Sequence, residues 1–263
     1  MDIFKGRKIV IATMHGKEKV IAPLLEKELG VEIIVPKNFN SDQFGTFTRD
    51  IKRVGSQLEA ARAKVYKAMR IADVDLGISS EGSFGEHPSV AFVQSNIELL
   101  LFVDIKNGYE ILGHHRTLKI NMDRRYVSSV EEAMDFANKI GFPETGIIVR
   151  KSEHELTDIY KEIKTQEDFV KKVNKILSLP FTKKVFLETD MRAHRNPTRM
   201  KAIKNATLDL LKNITAMCPK CGAPGFVVVD FEKGLKCSLC GVPTELPIKD
   251  IYQCSKCDYQ EKS

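Results

Sequence analysis

The chain has 263 residues, a formal net charge of +6 and 43% hydrophobic content, enough for one core of roughly 150–200 residues plus a smaller appendage. The mild basicity favours acidic partners such as nucleotides, RNA or phosphorylated metabolites. No stretch approaches the ~18 apolar residues of a membrane span or the apolar core of a signal peptide, and all six cysteines fall after residue 217 in three pairs of equal spacing. A secreted disulfide protein scatters its cysteines to staple distant loops, so a cytoplasmic protein without a membrane segment is expected.

Lys8–Thr13 (KIVIAT) is a short run suited to a buried strand, and residues 16–29 follow with apolar positions at helical spacing. Val31–Val35 reads as the next strand, so the chain opens on a βαβ unit. After a polar loop at Asn38–Arg49, Val54, Leu58, Ala61, Val65, Ala68 and Met69 trace one face of a long helix over Ile51–Ile71. Val74–Ile78 is a further buried strand, and it empties into a loop, Ser79–Pro88, rich in Gly, Ser and acid. Such a loop after a buried strand is where α/β proteins place ligands.

Asn107-Gly108 between the apolar runs Glu98–Ile105 and Tyr109–Leu112 signals a hairpin, which makes the sheet mixed. Helical patterns at Val130–Ile140 and Gln166–Leu177 alternate with strand-like residues 146–149 and 184–187. Asn196 and Pro197 have the chemistry of an N-cap and first helical residue, opening a last helix that runs to about Asn213. The expected architecture is α/β, with a mixed, mainly parallel central sheet flanked by helices over residues 1–213. A small zinc ribbon follows over 214–263.

The ribbon rests on Cys218/Cys221, Cys237/Cys240 and Cys254/Cys257. Two residues between cysteines let a tight turn aim both sulfurs at one ion, and two such knuckles complete a tetrahedron, a strong signal for zinc. A strand at Phe226–Phe231 followed by Glu232-Lys233-Gly234 favours Cys218, Cys221, Cys237 and Cys240 as one ligand set. Cys254 and Cys257 are the alternative pair, or part of a second site.

Three segments of the main domain carry candidate chemistry. In Thr13-Met14-His15-Gly16-Lys17 the backbone N–H groups of a helix start, with Lys17, suit a phosphate. Glu81, among Ser80, Gly82 and Ser83, is a carboxylate placed to reach a hydrated Mg²⁺. Arg192, Arg195 and Arg199 cluster at the last helix start, where guanidinium groups and N–H groups form a phosphate clamp.

Two resemblances follow. ATMHGKE, FGTFTR, SSEGSFGEHP, TDMRAHRNPTRM and CPKCGAPGF together resemble a family of bacterial and archaeal proteins labelled a domain of unknown function, over nearly the whole chain. More distantly, residues 8–105 are similar to inosine/xanthosine triphosphatases, through Thr13–Lys17, Phe44-Gly45, Ala60-Ala61-Arg62 and Asp75–Gly82. That second resemblance implies an elongated fold with a central cleft, Mg²⁺ held by Glu81, and attack of water on a nucleoside triphosphate with release of pyrophosphate. Lys17 and Arg199 would stabilise the developing charge, and Thr13, His15, Gly16, Ser80, Gly82, Ser83, Arg192 and Arg195 would contact substrate. The expected function is thus a Mg²⁺-dependent hydrolase of a nucleotide or related phosphate compound. The alternatives are a non-catalytic nucleotide- or RNA-binding protein whose ribbon docks a partner, and an enzyme of another chemistry using His87 or His114 beside a regulatory ribbon.

Overall fold

The computed structural model describes residues 3–37, 39–40, 55–88, 90–154 and 157–263. The first βαβ unit forms as the pattern predicts: β1 (Lys8–Ala12), α1 (Glu18–Leu29) and β2 (Glu32–Ile34), with β1 and β2 parallel. α1 stops where Gly30 takes the left-handed conformation at φ 66°, which a residue lacking Cβ adopts at little cost. α2 (Gln57–Ala72) starts at a capping box, in which Ser56 accepts from the Glu59 N–H while the Glu59 carboxylate accepts from the Ser56 N–H.

β3 (Leu76–His87), β4 (Val90–Asp104) and β5 (Tyr109–Thr117) complete a sheet of order β2-β1-β3-β4-β5. β1 pairs with β3 in parallel, whereas β3–β4 and β4–β5 are antiparallel. Half of the ladders are therefore parallel, not most of them as expected. The Asn107-Gly108 hairpin forms, with Asp104 opposite Tyr109. The expected loop at Ser79–Pro88 is instead, as far as His87, the outer half of β3, paired residue by residue with β4 up to Glu86 and, after a register shift, at His87 with Val90. Ladder pairing to a strongly apolar partner strand overrides the turn-like composition of SSEGSFG. The apolar residues alternate across the sheet, Ile9, Ile11, Leu76, Ile78, Leu100 and Phe102 facing α1 and Val10, Ala12, Leu101 and Val103 facing α2.

Residues 124–189 build a second sheet rather than extending the first. β6 (Arg124–Val127), β7 (Ile147–Arg150), β8 (Ile159–Tyr160) and β9 (Val185–Thr189) form an antiparallel sheet of order β6-β9-β7-β8. α3 (Val130–Ile140) and α4 (Gln166–Leu177) cover it, and Phe136, Ile147, Val149, Phe169, Val173 and Leu187 close a core of their own. The chain then makes one 3₁₀ turn at Ala193–Arg195 and returns as α5 (Pro197–Thr215) to the first sheet. The side chain of Asn196 caps α5 by accepting from the Arg199 N–H at 3.0 Å, with Pro197 at the first helical position. α5 lies so close to β5 that a Cβ on Gly113 would sit 2.4 Å from the Leu210 nitrogen.

The C-terminal module is a three-stranded antiparallel sheet of β10 (Phe226–Lys233), β11 (Pro247–Cys254) and β12 (Gln260–Lys262). Most of its strand residues are exposed, but Cys218, Ala223 and Cys254 are buried in the core that β1, β3, β4, α1 and α5 share. No helix among the described residues is long and apolar enough to cross a membrane.

Candidate functional site

The strand order places a reversal between β1 and β3. From β1 the chain moves outward to β2, then crosses through α2 to the other side of β1, where it forms β3. In α/β sheets the crevice at the carboxyl ends of two such strands takes ligands, because the connections leave it in opposite directions. Thr13–Lys17 leaves the end of β1 here, and β3 runs on past its last pair with β1, Ala12 opposite Ser79.

Lys17 fills the place where β1 has ended. Its ammonium donates to the Ser80 carbonyl at 2.9 Å and to Ser80 Oγ at 3.2 Å. Two ion pairs flank it on opposite faces of the sheet. On the α2 face Glu81 meets Lys64, and both are over nine-tenths buried. On the α5 face Glu98, opposite Gly82 in β4, accepts from Arg199 Nε at 2.7 Å, and Arg199 Nη1 donates to the Met191 carbonyl at 2.7 Å. A Cβ at position 82 would lie 2.3 Å from Arg199 Nη2 and 2.7 Å from Glu98 Oε1, so the ion pair crosses β3 only because Gly82 has no side chain. Burial, reinforced by Arg199 and Lys64 and opposed by Glu98 and Glu81, brings the Lys17 pKa down from 10.5 to about 7.

The arginine-rich turn lies against the β1–α1 turn. The His15 and His194 rings stack at 5.2 Å and 11°, and the Cβ position of Gly16 is 3.6 Å from His194 Cβ. His194 Nε2 lies 3.0 Å from Glu162 Oε1, which also pairs with Arg192 Nη1 at 2.8 Å. Arg192 is held in addition by the buried Asp190, and Arg195 donates to the Ile163 carbonyl at 2.5 Å. The sequence motifs thus meet, but the three arginines do not form one clamp. Arg199 joins the Lys17 cluster, Arg192 binds Asp190 of the turn and Glu162 just after β8, and Arg195 ties that turn to Ile163.

Thr13 and Ser80 are buried beside Lys17, whereas His15, Gly16 and Ser83 are part-exposed. Phe44-Gly45, the 38–49 loop and the start expected for α2 at Ile51 lie outside the described residues, apart from Phe39 and Asn40. His114 and His115 lie along β5, where the His114 N–H donates to Asp209, away from the cluster.

These residues do not fit a resident Mg²⁺. A magnesium site supplies one or two carboxylates and oxygen ligands in octahedral array, while here Glu81 and Glu98 are each ion-paired. Among the described residues of the cluster the two pairs balance, and Lys17 is a third basic group that a bound anion would protonate. Sequence reasoning missed Lys64 and Glu98. Each interrupts an apolar pattern, Lys64 on the buried face of α2 and Glu98 in the middle of β4, and a charge in such a place requires a partner.

The cysteines build a second centre. Sulfurs of Cys218, Cys221, Cys254 and Cys257 all lie within 4.8 Å of one another, with Cys218–Cys257 at 3.8 Å and Cys221–Cys254 at 3.6 Å. A tetrahedral ion with bonds of about 2.3 Å needs sulfurs about 3.8 Å apart, so the four could hold a metal ion. The expected pairing of the first knuckle with the second is not the one that forms. The register of β10 and β11 puts Phe226 opposite Cys254, bringing the third knuckle to the first, while Cys237 and Cys240 lie in the loop beyond Lys233 and Pro247. Gly222 N donates to Cys218 O at 2.9 Å and Cys218 N to Ala223 O at 2.8 Å, closing the first turn. Phe226, stacked on Tyr252 and Tyr259, packs beside it. The ribbon lysines 233 and 262 are ion-paired to Glu245 and Glu232, and Lys233 Nζ also lies 6.0 Å over the Phe231 ring.

Fold and site together define an α/β protein with a buried, cation-rich cluster at a strand-order reversal and a C-terminal four-cysteine centre fastened to its core. The chain belongs to the family described as "Domain of unknown function (DUF6671)", whose family model matches residues 64–263. No curated protein matches it.

Proposed function

We propose that the α/β part of the chain binds a phosphate-bearing small molecule, of which a nucleotide is the leading class, at the carboxyl ends of β1 and β3. The observation that carries this reading is a third buried basic group at the strand-order reversal, Lys17, an amine with pKa about 7 beside the balanced pairs Lys64–Glu81 and Arg199–Glu98, which a bound anion would protonate. A phosphate oxygen beside Lys17 would hold the amine in its charged form and replace the Ser80 contacts. Hydrolysis of the bound compound is the activity that the similarity to inosine/xanthosine triphosphatases suggests, and any metal it used would have to arrive with the substrate. Zinc is the metal proposed for Cys218, Cys221, Cys254 and Cys257, since four thiolates in a tetrahedron favour it, and its role there is structural.

A panel of nucleotides and sugar phosphates, with and without Mg²⁺, tests the reading by calorimetry and by release of phosphate or pyrophosphate. Binding by the wild type that K17M weakens at least tenfold is the expected result. Turnover that E81Q abolishes would add catalysis to it. Failure of every compound to bind would remove the proposal.

A further inference from the structure

The second knuckle, Cys237-Ser238-Leu239-Cys240, takes no part in the four-cysteine centre, yet it is folded as a metal-binding turn. Gly241 N donates to Cys237 O at 2.9 Å and Cys237 N to Val242 O at 2.9 Å, as Gly222 and Cys218 do in the first knuckle. Lys236 bridges Pro243 as Met217 bridges Pro224, and Gly241 has φ 71° where Gly222 has 68°. The N–H groups two and three residues on, of Leu239 and Cys240, point at the Cys237 sulfur, as those of Lys256 and Cys257 point at Cys254. Such N–H···S contacts orient a thiolate for a metal.

This knuckle is at the far tip of the β10–β11 hairpin, seven register steps and roughly 20 Å from the four-cysteine centre. Among the described residues no further Cys, His, Asp or Glu joins it to make a group of three. The chain therefore offers two thiolates of the four that a tetrahedral soft-metal site requires. Around them, beside the exposed Lys236 and the Lys233–Glu245 ion pair, apolar side chains face solvent: Leu239 is 96% exposed, and Leu235, Val242 and Leu246 are exposed with it.

We propose that Cys237 and Cys240 are half of a second zinc site, completed by the same two residues of a second copy of this chain. Two identical half-sites about a two-fold axis sum to four sulfurs around one ion. The same operation lays the exposed leucines of one tip on those of the other, as an isologous contact requires. A second copy fits better than an unrelated partner because the chain already carries both what is missing, two more cysteines in a preformed turn, and the matching apolar rim. Binding releases the thiol protons to solvent and changes no oxidation state.

The test uses the full chain purified under reducing conditions and supplied with zinc in slight excess, comparing wild type with C237S/C240S. Zinc content is measured by mass spectrometry of the metal and molecular mass by light scattering. Wild type should be a dimer with three zinc ions per pair of chains, and the double variant a monomer with one zinc per chain. Circular dichroism of the variant should be unchanged, since the substituted turn is outside the core. A wild-type monomer with one zinc per chain, a monomer with two, or a double variant that remains dimeric would each overturn the proposal.

Discussion

Arg199 and Glu98 are almost wholly buried, at 2% and 0% exposure, so each is tolerable only beside the other. Removing one partner of a buried pair typically costs about 3–5 kcal/mol, because it strands the other charge. R199M should therefore lower stability by about that amount in urea unfolding, and R199M/E98L should recover most of it. A cost under ~1 kcal/mol for the single variant would show that Glu98 does not depend on Arg199. Lys17 has the opposite problem, a charge whose nearby carboxylates are already engaged. Its folded pKa of about 7 lies below the ordinary 10.5, so between those values the unfolded chain holds a proton that the folded chain lacks. Stability then rises with pH in that window and is lost as pH falls towards 7. Measured against K17M, wild type should gain stability steadily from pH 7 to pH 10, and parallel curves for the two proteins would refute the burial of that amine.

Strands, helices and caps show how much of this arrangement the sequence carries. α3 and α4 span the residues their apolar periodicity predicts, and the Asn196–Pro197 start of α5 forms as its cap chemistry requires. β3 is different, because Ser79–Gly85 has turn-like composition and becomes a strand only by pairing with β4, a contact no local pattern reports. The same non-local cause hid the second sheet and the knuckle pairing, since the β10–β11 register decides which cysteines meet. Lys17, Arg199 and Glu81 could be named from their motifs, whereas Lys64 and Glu98 were visible only as charges out of place. Gly82 is the point where strand and ion pair constrain each other. G82A should force Arg199 or β3 to shift and cost about 1–3 kcal/mol, as overpacking does, and an unchanged melting temperature would contradict the close crossing.

At the scale of the whole molecule, the first sheet, the second sheet and the ribbon are fastened at few places. The turn from Asp190 to Asn196 joins the second sheet to the first, with Gly146 N donating to Arg195 O and Asp190 N to Gly146 O. The ribbon joins through its four-cysteine end, where Cys218 and Cys254 are part of the main core and a Cβ at Gly225 would press on Ile111 at 3.1 Å. If zinc occupies the four cysteines as proposed, its removal should therefore lower the melting temperature of the α/β part as well as unfold the ribbon, and C218S should do the same. A main transition indifferent to a strong chelator would show that the ribbon is an independent appendage.

The central claim, that Lys17 receives a phosphate-bearing ligand, makes a linked prediction about protons. An anion bound beside an amine whose pKa is near 7 raises that pKa and draws a proton from solvent. Calorimetric titration at pH 8, with the best-binding compound in buffers of different ionisation enthalpy, measures that uptake directly. Wild type should take up most of one proton on binding, and K17M should bind more weakly with uptake close to zero. Tight binding with no proton uptake, or uptake unchanged in K17M, would contradict the assignment of the site.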